Sequence, residues 1–270
     1  MLAETVPLLD RNEYPRFRDS LPPTELREGK YRIRFASTRE ELDDVLRLRF
    51  EVFNLELGEG LEASYQTGRD LDEYDLACHH LIVIEEATEK VVGTYRLQTG
   101  AMAAAATGFY SATEFDLSRL PLEVLEDSIE LSRACIAKEY RNTQVLYLLW
   151  KGLASYIAFN RKRFLFGCCS LTSQDANEGK LVMELLTREG HLHSTYFVPP
   201  KTEFECYPAE FLAEASIEAK LPKLFRSYLR IGAKVCGPPA IDRLFKTIDF
   251  FVLFDLFEMD RQTQRMFFGV

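Results

Sequence analysis

Long hydrophobic runs are missing from this 270-residue chain. A helix that crosses a bilayer needs roughly 20 consecutive apolar residues, and every apolar run in the sequence is shorter than that. We therefore expect a protein that does not cross a membrane, and that is either soluble in the cytoplasm or bound at the surface of the inner membrane.

A net positive charge is also missing, since 42 aspartates and glutamates outnumber 33 lysines and arginines and leave a formal charge of −9. Proteins that bind nucleic acid concentrate basic side chains against the phosphates. The charge balance therefore argues against nucleic acid as a main partner, although it is compatible with a local basic patch.

The six cysteines lack the paired spacing of a disulfide framework or a zinc site, and no secretory signal precedes them. The adjacent residues Cys168 and Cys169 would point to opposite faces of a strand. His191 and His193 lie in a separate polar stretch, whereas zinc needs ligands that converge. We expect reduced core cysteines in a cytoplasmic protein, and no metal site.

Internal repeats, low-complexity tracts and Walker-type glycine loops are absent too. The residues that are present are 47% hydrophobic and 28% charged, which is typical of a globular protein. Residues 1–29 are polar and contain prolines, and they predict an irregular N-terminal arm. We predict a single domain over residues 30–270, with a C-terminal extension from about residue 200.

The first part of this domain predicts a strand, a helix and a hairpin. Tyr31–Phe35 alternates as a half-exposed strand. Ser37 and Thr38, with Glu40 and Glu41 three residues on, offer a capping box for a helix that runs to about Phe53. Residues 80–84 form a strongly apolar strand, and a short turn joins them to residues 91–97 as an antiparallel hairpin.

The middle of the chain predicts two buried strands around one long helix. The strands cover residues 129–137 and 164–171, and the helix covers residues 143–160. The alanine-rich residues 100–115 predict a mobile cover. The tail over residues 245–268 holds seven phenylalanines, which either pack in the core or line a long apolar pocket.

Arg49 interrupts the apolar stripe of the predicted helix, which it shares with Leu46 and Phe53. An arginine in that position needs an anionic partner. Asp72 and Asp75, in the acidic loop that follows, are the obvious candidates. An alternative that stays open is a boundary arginine that reaches past its apolar neighbours to solvent.

Three more charged residues interrupt predicted strands. Arg96 lies in the hairpin, and Glu130 and Arg133 lie in the central strand. Strict alternation places Glu130 and Ser132 on one face of that strand and Arg133 on the other. Because buried charges are costly unless they are paired or used, we interpret these residues as part of a site.

The mixed signs of this site suit a zwitterionic acceptor, because carboxylates hold an ammonium and an arginine holds a carboxylate. Acylation of an amine also needs a base that removes a proton from the ammonium. Glu130 is the best candidate for that base by residue type and placement.

The order strand, helix, hairpin, central strand, helix and strand resembles the GCN5-related N-acetyltransferase (GNAT) fold. That fold is of the mixed α/β (α+β) class, with a central mixed twisted sheet flanked by helices. Several motifs are similar to those of acyl-homoserine lactone synthases and their relatives. These motifs are Arg49-Phe50-Glu51-Val52-Phe53, Asp72-Glu73-Tyr74-Asp75, His80-Leu81, Val92-Gly93-Thr94-Tyr95-Arg96-Leu97 and Glu130-Leu131-Ser132-Arg133.

The chain resembles more strongly the bacterial ornithine-lipid N-acyltransferases, which are often labelled haemolysin-like. Their C-terminal block, which separates them from the lactone synthases, is similar to the end of this chain. The matching residues are Arg133, Cys135, Tyr140-Arg141, Leu148-Leu149-Trp150 and Ser170-Leu171 in the centre, and Tyr228-Leu229-Arg230, Gly232-Ala233, Cys236-Gly237, Asp242, Phe245 and Asp249-Phe250 towards the end.

This resemblance implies an enzyme that transfers a long, typically 3-hydroxylated acyl group from acyl carrier protein to the α-amino group of ornithine. The product would be a lyso-ornithine lipid, and no metal is implied. By resemblance, Glu130 is the catalytic base, and we place Ser132 beside it as a second catalytic candidate. The implied substrate-binding residues are Arg49, Phe53, Asp72, Asp75, Arg96 and Arg133.

The donor is expected to be the phosphopantetheine arm of acyl carrier protein rather than coenzyme A. Acetyltransferases of this fold usually hold the coenzyme pyrophosphate on a glycine-rich turn at a helix N-terminus, but residues 141–145 contain no glycine. Carrier proteins are acidic, so basic residues are the expected docking patch. The patch residues are Lys138, Arg141, Lys151, Arg161, Lys162 and Arg163. A solvated helix end explains Arg161, Lys162 and Arg163 equally well.

A second basic face is predicted on a short helix over residues 222–231, where it could contact anionic lipid at the inner membrane. Its residues are Lys220, Lys223, Arg226, Arg230 and Lys234.

Several alternatives stay open at this point. The acceptor could be glycine, lysine or an aromatic amino acid, and lactone synthesis from S-adenosylmethionine is a further possibility within the enzymes. A membrane-perturbing, haemolysin-like protein without enzymatic activity is the alternative from another class. The sequence argues against it, since no segment has the pattern of a lytic amphipathic helix.

Overall fold

The structure of the chain is a computed structural model that describes residues 14–23, 25–141, 143–213 and 220–268. Within these ranges, nine strands form one mixed sheet with α-helices on both faces. The strands are β1 (Leu26–Glu28), β2 (Tyr31–Phe35), β3 (His79–Glu85), β4 (Lys90–Thr99), β5 (Ser128–Ile136), β6 (Phe164–Leu171), β7 (Lys234–Val235), β8 (Ala240–Asp242) and β9 (Thr247–Asp255). The α-helices are α1 (Arg39–Phe50), α2 (Ser64–Thr67), α3 (Gly100–Ala104), α4 (Leu122–Glu126), α5 (Thr143–Asn160), α6 (Ala176–Arg188), α7 (Lys223–Arg230) and α8 (Arg261–Phe268).

The sheet runs in the order β1-β2-β3-β4-β5-β6-β9-β7, and β8 pairs with β9. All neighbouring strands are antiparallel except β5 and β6, which are parallel. Helix α5 makes the crossover that a parallel pair requires. Mixed α/β architecture with a mixed sheet between helices confirms the fold class expected from the sequence.

Strand β3 shows why the core lies on both faces of the sheet. Leu81 and Val83 pack in the core that contains α5, whereas Ile82 and Ile84 pack against α1. All seven residues of the strand are buried. A strand that is covered on both faces has no polar face, which explains its continuous apolar sequence.

Several predicted elements are confirmed to the residue. Strands β2 and β6 and helix α5 have the predicted bounds. The backbone N–H of Glu41 donates to the side chain of Thr38, which caps α1 as expected. The regular helix ends at Phe50, however, and continues as a π-helical turn over Glu51–Glu56.

The alternation predicted for the central strand is wrong at Arg133. Arg96 pairs with Ser132, but Thr94 pairs with Cys135, so β5 carries one extra residue as a bulge. Arg133 has a φ of 49° there. The bulge breaks the period of two, so that Ser132 contacts Arg96 while Arg133 contacts Asp72, which also binds Arg96.

The two ends of the chain contribute more to the sheet than predicted. Residues 1–13 of the expected irregular arm lie outside the described residues, but β1 lies within the arm and pairs with β2. The expected C-terminal extension contains β9, which pairs with β6 over eight positions inside the sheet. Apolar side chains on both faces of β9 explain its central position, and the division into an arm and a single domain stays a prediction.

Membrane-spanning geometry is absent from the part of the chain that the structure describes, since no helix there is both long and apolar enough to cross a bilayer.

Candidate functional site

A cavity of about 360 Å³ lies where β5 and β6 separate. The two strands pair only from Ser128–Phe164 to Glu130–Phe166, although both continue beyond these pairs. Gly167 lies where the pairing ends, and β5 passes close to it there. A Cβ atom at this position would lie 2.1 Å from the carbonyl oxygen of Leu131, so only glycine fits. The cavity is lined by residues 131–134 of β5 and 167–170 of β6, and its wall includes side chains from both faces of the sheet.

One end of the cavity is apolar. Its wall is formed by α5, α7, α8 and the second half of β9. These residues include Trp150, Leu153, Ala154, Ile157, Phe225, Tyr228, Val252, Phe254, Phe267 and Phe268. The phenylalanine-rich tail therefore does both of the things considered from sequence, since Phe250 and Phe251 pack in the core while other members line the pocket.

The other end of the cavity is polar. It is lined by Glu59, Tyr110, Ser132, Arg133, Ser170, Thr172, Thr247 and Asp249. Thr172 donates a hydrogen bond to Glu59, and Ser170 and Thr247 donate to the two carboxylate oxygens of Asp249. Burial raises the pKa of Glu59 and of Asp249. Two acids with raised pKa values in a cleft are typical of a functional site.

Behind this wall lies a set of six charged residues, which we call the balanced cluster because three arginines meet three aspartates. The Nε atom of Arg49 lies 2.8 Å from Asp70, and its Nη1 atom lies 2.6 Å from Asp75. Nη1 of Arg96 lies 2.6 Å from Asp72 and 3.0 Å from Asp75. The members are Arg49, Asp70, Asp72, Asp75, Arg96 and Arg133.

Arg133 completes the balanced cluster through contacts of 3.3 Å to Asp70 and 3.2 Å to Asp72. The alternative of a boundary Arg49 that reaches solvent is wrong, because the residue is 0% exposed. The predicted partner Asp75 does bind Arg49, whereas Asp72 binds Arg96 and Arg133 instead. Sequence analysis missed Asp70.

Of the six predicted substrate-binding residues, only Phe53 and Arg133 line the cavity. Arg49, Asp75 and Arg96 are buried and paired with each other behind the wall. The balanced cluster therefore fixes the position of Arg133 at the polar end. The guanidinium of Arg133 is held further by the rings of Tyr110 and Phe245, at 4.7 and 4.2 Å from their centroids.

Glu130, the predicted base, is buried and does not line the cavity. Its two carboxylate oxygens accept the backbone N–H groups of Tyr110 and Ser111 at 2.8 and 2.6 Å. Burial raises the pKa of Glu130. The carboxyl group anchors the segment predicted to be a mobile cover, and the mobility of that segment stays a prediction. Ser132 does line the cavity, and its hydroxyl accepts a hydrogen bond of 2.9 Å from Arg96.

A group of acids that sequence analysis missed lies next to the polar end. One carboxylate oxygen each of Glu114, Asp242 and Asp249 lies within 4.8 Å of the others. All three residues, which we call the acid trio, are buried. Burial, together with the charges of its two acidic neighbours, raises the pKa of Glu114 well above its usual range. An aspartate inside the apolar sequence of β9 was the available signal. Because such spacing also suits a divalent cation, the expected absence of a metal stays a prediction.

The predicted docking patch is split in two. Lys138 and Arg141 precede α5, whereas residues 161–163 follow its 18 residues, which separates the two ends by about 27 Å. Three of the six side chains already pair with acids of this chain, namely Arg141 with Glu56, Lys151 with Glu28 and Arg163 with Asp255. Lys138 and Arg161 are exposed, and Lys162 donates to the carbonyl of Glu126.

Comparisons with known proteins agree with this architecture. The acetyltransferase (GNAT) domain matches residues 48–151. An L-ornithine N(alpha)-acyltransferase of Brucella abortus (strain 2308) is 32% identical over 240 residues, which cover 84% of this chain and 85% of that protein. One from Rhizobium meliloti (strain 1021) is 30% identical over 272 residues, or 92% and 91% of the two chains.

Among solved structures, an N-acyl amino acid synthase from uncultured soil microbes superimposes with a TM-score of 0.52 and 10% identity, over 86% of this chain and 95% of that one. At this identity the likeness concerns the fold alone. The balanced cluster, the bulge at Arg133 and the cavity between β5 and β6 are therefore set in a GNAT-type sheet.

Proposed function

Since the chain belongs to the family of the L-ornithine N(alpha)-acyltransferases, we propose that it transfers a long-chain acyl group from acyl carrier protein to the α-amino group of ornithine. The observation that carries this proposal is the cavity that joins an apolar end to a polar end where β5 and β6 separate. A reaction between a fatty-acyl thioester and a charged amino acid needs both environments side by side.

The apolar end suits the acyl chain. Each methylene group that leaves water for an apolar wall contributes about 0.8 kcal/mol. Aromatic and aliphatic side chains of α5, α7, α8 and β9 form that wall. The volume of about 360 Å³ is within the usual range for ligand pockets. The donor would enter with its thioester at the gap between the strands, and its acyl chain towards α8.

The polar end suits the amino acid. Arg133, which the balanced cluster holds in place, can bind the α-carboxylate of the acceptor. Glu59 lies at the same end of the cavity, and burial raises its pKa towards the range in which a carboxylate is an effective base. We place the base at Glu59 rather than at Glu130, because both oxygens of Glu130 accept backbone N–H groups behind the wall.

The reaction then proceeds by acyl transfer. Glu59 takes a proton from the α-ammonium group, and the amine attacks the thioester carbonyl carbon. A C–N bond forms and the C–S bond breaks, and the thiolate of the donor leaves and takes up the proton that the acylated nitrogen loses. Ser132 lies beside this carbonyl position on the bulged strand, where its hydroxyl is held by Arg96.

Acyl carrier protein as the donor is supported by the start of α5, where residues 141–145 contain no glycine to cradle a pyrophosphate. Lys138 and Arg141 lie at that end of the helix. Of the two halves of the predicted docking patch, we propose this one as the contact for the acidic carrier.

We also propose that the protein associates with a membrane surface. Lys223, Arg226 and Arg230 are exposed along one side of α7, and Phe225 and Leu229 are buried on the other. Each basic residue near an anionic surface contributes about 1 kcal/mol. Flotation with anionic vesicles should retain the protein, and reversal of these three charges should release it.

Mass spectrometry of lipids tests the function itself. The protein should be expressed in a bacterium that makes no aminolipids. A new N-acylated ornithine would support the proposal, and a new acylated glycine, lysine or aromatic amino acid would replace ornithine as the acceptor. No new acylated amino acid, with folded protein present, would count against amine acylation.

A further inference from the structure

Within the described residues, the acid trio of Glu114, Asp242 and Asp249 lacks a direct positive partner. No arginine or lysine among the described residues forms an ion pair with any of its members within the usual 4.0 Å. Apart from the neighbouring acids, neither carboxylate oxygen of Glu114 has a hydrogen-bond partner, although the side chain is buried. An unpaired buried carboxyl group is costly unless it keeps a proton or meets a cation.

Asp249 connects the trio to the cavity. It is part of the cavity wall, and Glu114 and Asp242 lie directly behind it. Asp242 also accepts the backbone N–H groups of Leu244 and Phe245, which fixes its carboxylate. The hydrogen bonds from Ser170 and Thr247 fix Asp249 in the same way. Two members of the trio are therefore held rigidly, and Glu114 faces them without a donor of its own.

The geometry matches a primary ammonium group. Such a group has three N–H donors and no acceptor, and the trio offers three carboxylate oxygens within 4.8 Å of one another. A nitrogen atom between them can lie within hydrogen-bond distance of all three. Ornithine carries a second ammonium group at the end of its side chain, which takes no part in acylation of the α-amine.

We infer that the acid trio is the binding site for the side-chain ammonium group of the ornithine acceptor. The inference rests on the proposed function and deepens it. Ornithine would then be bound at three points of the polar end, with its α-carboxylate at Arg133, its α-amine at Glu59 and its side-chain ammonium at the trio. A neutral amino acid would leave the trio without its cation, so the enzyme would select a basic acceptor.

The test compares two acceptors that differ only in this ammonium group, L-ornithine and L-2-aminopentanoic acid. The wild-type enzyme should prefer ornithine by about 100-fold or more in kcat/KM, because a site built for a polar group rejects an analogue without it. In Glu114→Gln and in Asp249→Asn, kcat/KM for ornithine should fall at least about 10-fold while that for L-2-aminopentanoic acid stays within about 2-fold. Asp116→Asn is the matched control, since Asp116 is a half-exposed acid that binds Ser118 and Arg119.

A binding measurement separates this inference from the proposed function. Ornithine should raise the melting temperature of the wild type and of Asp116→Asn, and it should raise that of the two trio variants much less. If the wild type acylates no amino acid but still shows this pattern, the proposed function fails and the ammonium site stands. If both trio variants keep the full preference for ornithine, the inference is overturned while the function stands.

A metal ion is the competing occupant of the trio. Treatment with a chelator should leave the activity and the preference for ornithine unchanged. Loss of activity after chelation that Mg²⁺ or Mn²⁺ restores, together with failure of the trio variants to respond to the metal, would overturn the inference in favour of a metal site.

Discussion

Two buried groups of charges lie side by side in this protein, and they differ in their balance. The balanced cluster joins three arginines to three aspartates through contacts of 2.6 to 3.3 Å. The acid trio joins three carboxyl groups and no cation of the described chain. Ion pairs within the balanced cluster hold its side chains in place, so it can serve as a scaffold, whereas an unbalanced group leaves a charge for a ligand to satisfy.

We expect the balanced cluster and the acid trio to contribute opposite dependences of stability on pH. In the balanced cluster, the neighbouring arginines hold the pKa values of Asp70 and Asp75 below their usual range despite burial. Their stabilisation is present above the unfolded value of about 3.9 and is lost as the pH falls through the lower folded values. Burial raises the pKa of Glu114 and Asp249 instead. Their contribution to stability is present below their pKa values in the unfolded state. It is lost as the pH rises through their pKa values in the folded state.

The largest effect on stability is expected from removing one arginine of the balanced cluster. Arg49→Met leaves Asp70 and Asp75 short of a cation in the core, and it should lower the free energy of unfolding by about 3–5 kcal/mol. Urea denaturation measures this change. Arg47→Met is the matched control on the same helix, because its ion pair with Asp43 is exposed and should contribute less than about 1 kcal/mol. Equal losses in both variants would show that the cluster has no special role.

The second effect concerns the base at the polar end. Glu59→Gln should lower kcat by about 10²-fold, because the amine would have no positioned acceptor for its proton. In the wild type, activity should rise as the pH rises through the raised pKa of Glu59, and the variant should lose this acidic limb. Steady-state kinetics between pH 5 and 9 measure both.

Glu130→Gln provides the contrast to that variant. It should weaken the attachment of residues 110–111 and lower stability, while the acidic limb of the pH profile is retained. If Glu130→Gln removes the acidic limb and Glu59→Gln keeps it, the base is Glu130.

A third, smaller effect distinguishes the two ends of α5. Reversing Lys138 and Arg141 to glutamate should raise KM for acyl carrier protein by about 10-fold, since charge complementarity with the carrier is lost. Reversing Arg161 and Lys162 at the far end should change KM by less than about 2-fold. The opposite ranking would move the docking surface to the C-terminal end of the helix.

The smallest effect is a change in the pH dependence of stability. Glu114→Gln should stabilise the ligand-free protein more at pH 8 than at pH 5, because it removes a carboxyl group that resists ionisation. Chemical denaturation at the two pH values measures the difference. A variant that is less stable than the wild type at pH 8 would show that the trio is already satisfied without a ligand.

Local patterns were enough to predict much of the fold. The bounds of β2, β6 and α5 follow from alternation, helical composition and the residues at their ends, all of which are encoded in neighbouring residues. The capping role of Thr38 is equally local. Arg49 has two partners. Asp75 was predicted because it lies in the acidic loop that follows, and Asp70 was overlooked.

The missing parts depend on contacts between distant residues. The bulge at Arg133 appears only when β5 is aligned with β4, so the strict period of two misplaced that side chain. Within the acid trio, Glu114 precedes Asp242 by 128 residues of sequence, and β8 and β9 bring Asp242 and Asp249 to it. The ion pair between Arg141 and Glu56 was not predicted, because Glu56 lies 85 residues earlier in another helical turn.

The most direct measurement is a competition assay with purified protein. A long-chain 3-hydroxyacyl carrier protein is offered with equal amounts of L-ornithine and L-2-aminopentanoic acid, and the products are identified by mass spectrometry. We predict Nα-acylated ornithine in large excess. Equal amounts of the two products would contradict the role of the acid trio, and the absence of both with a folded enzyme would contradict amine acylation from a carrier-bound donor.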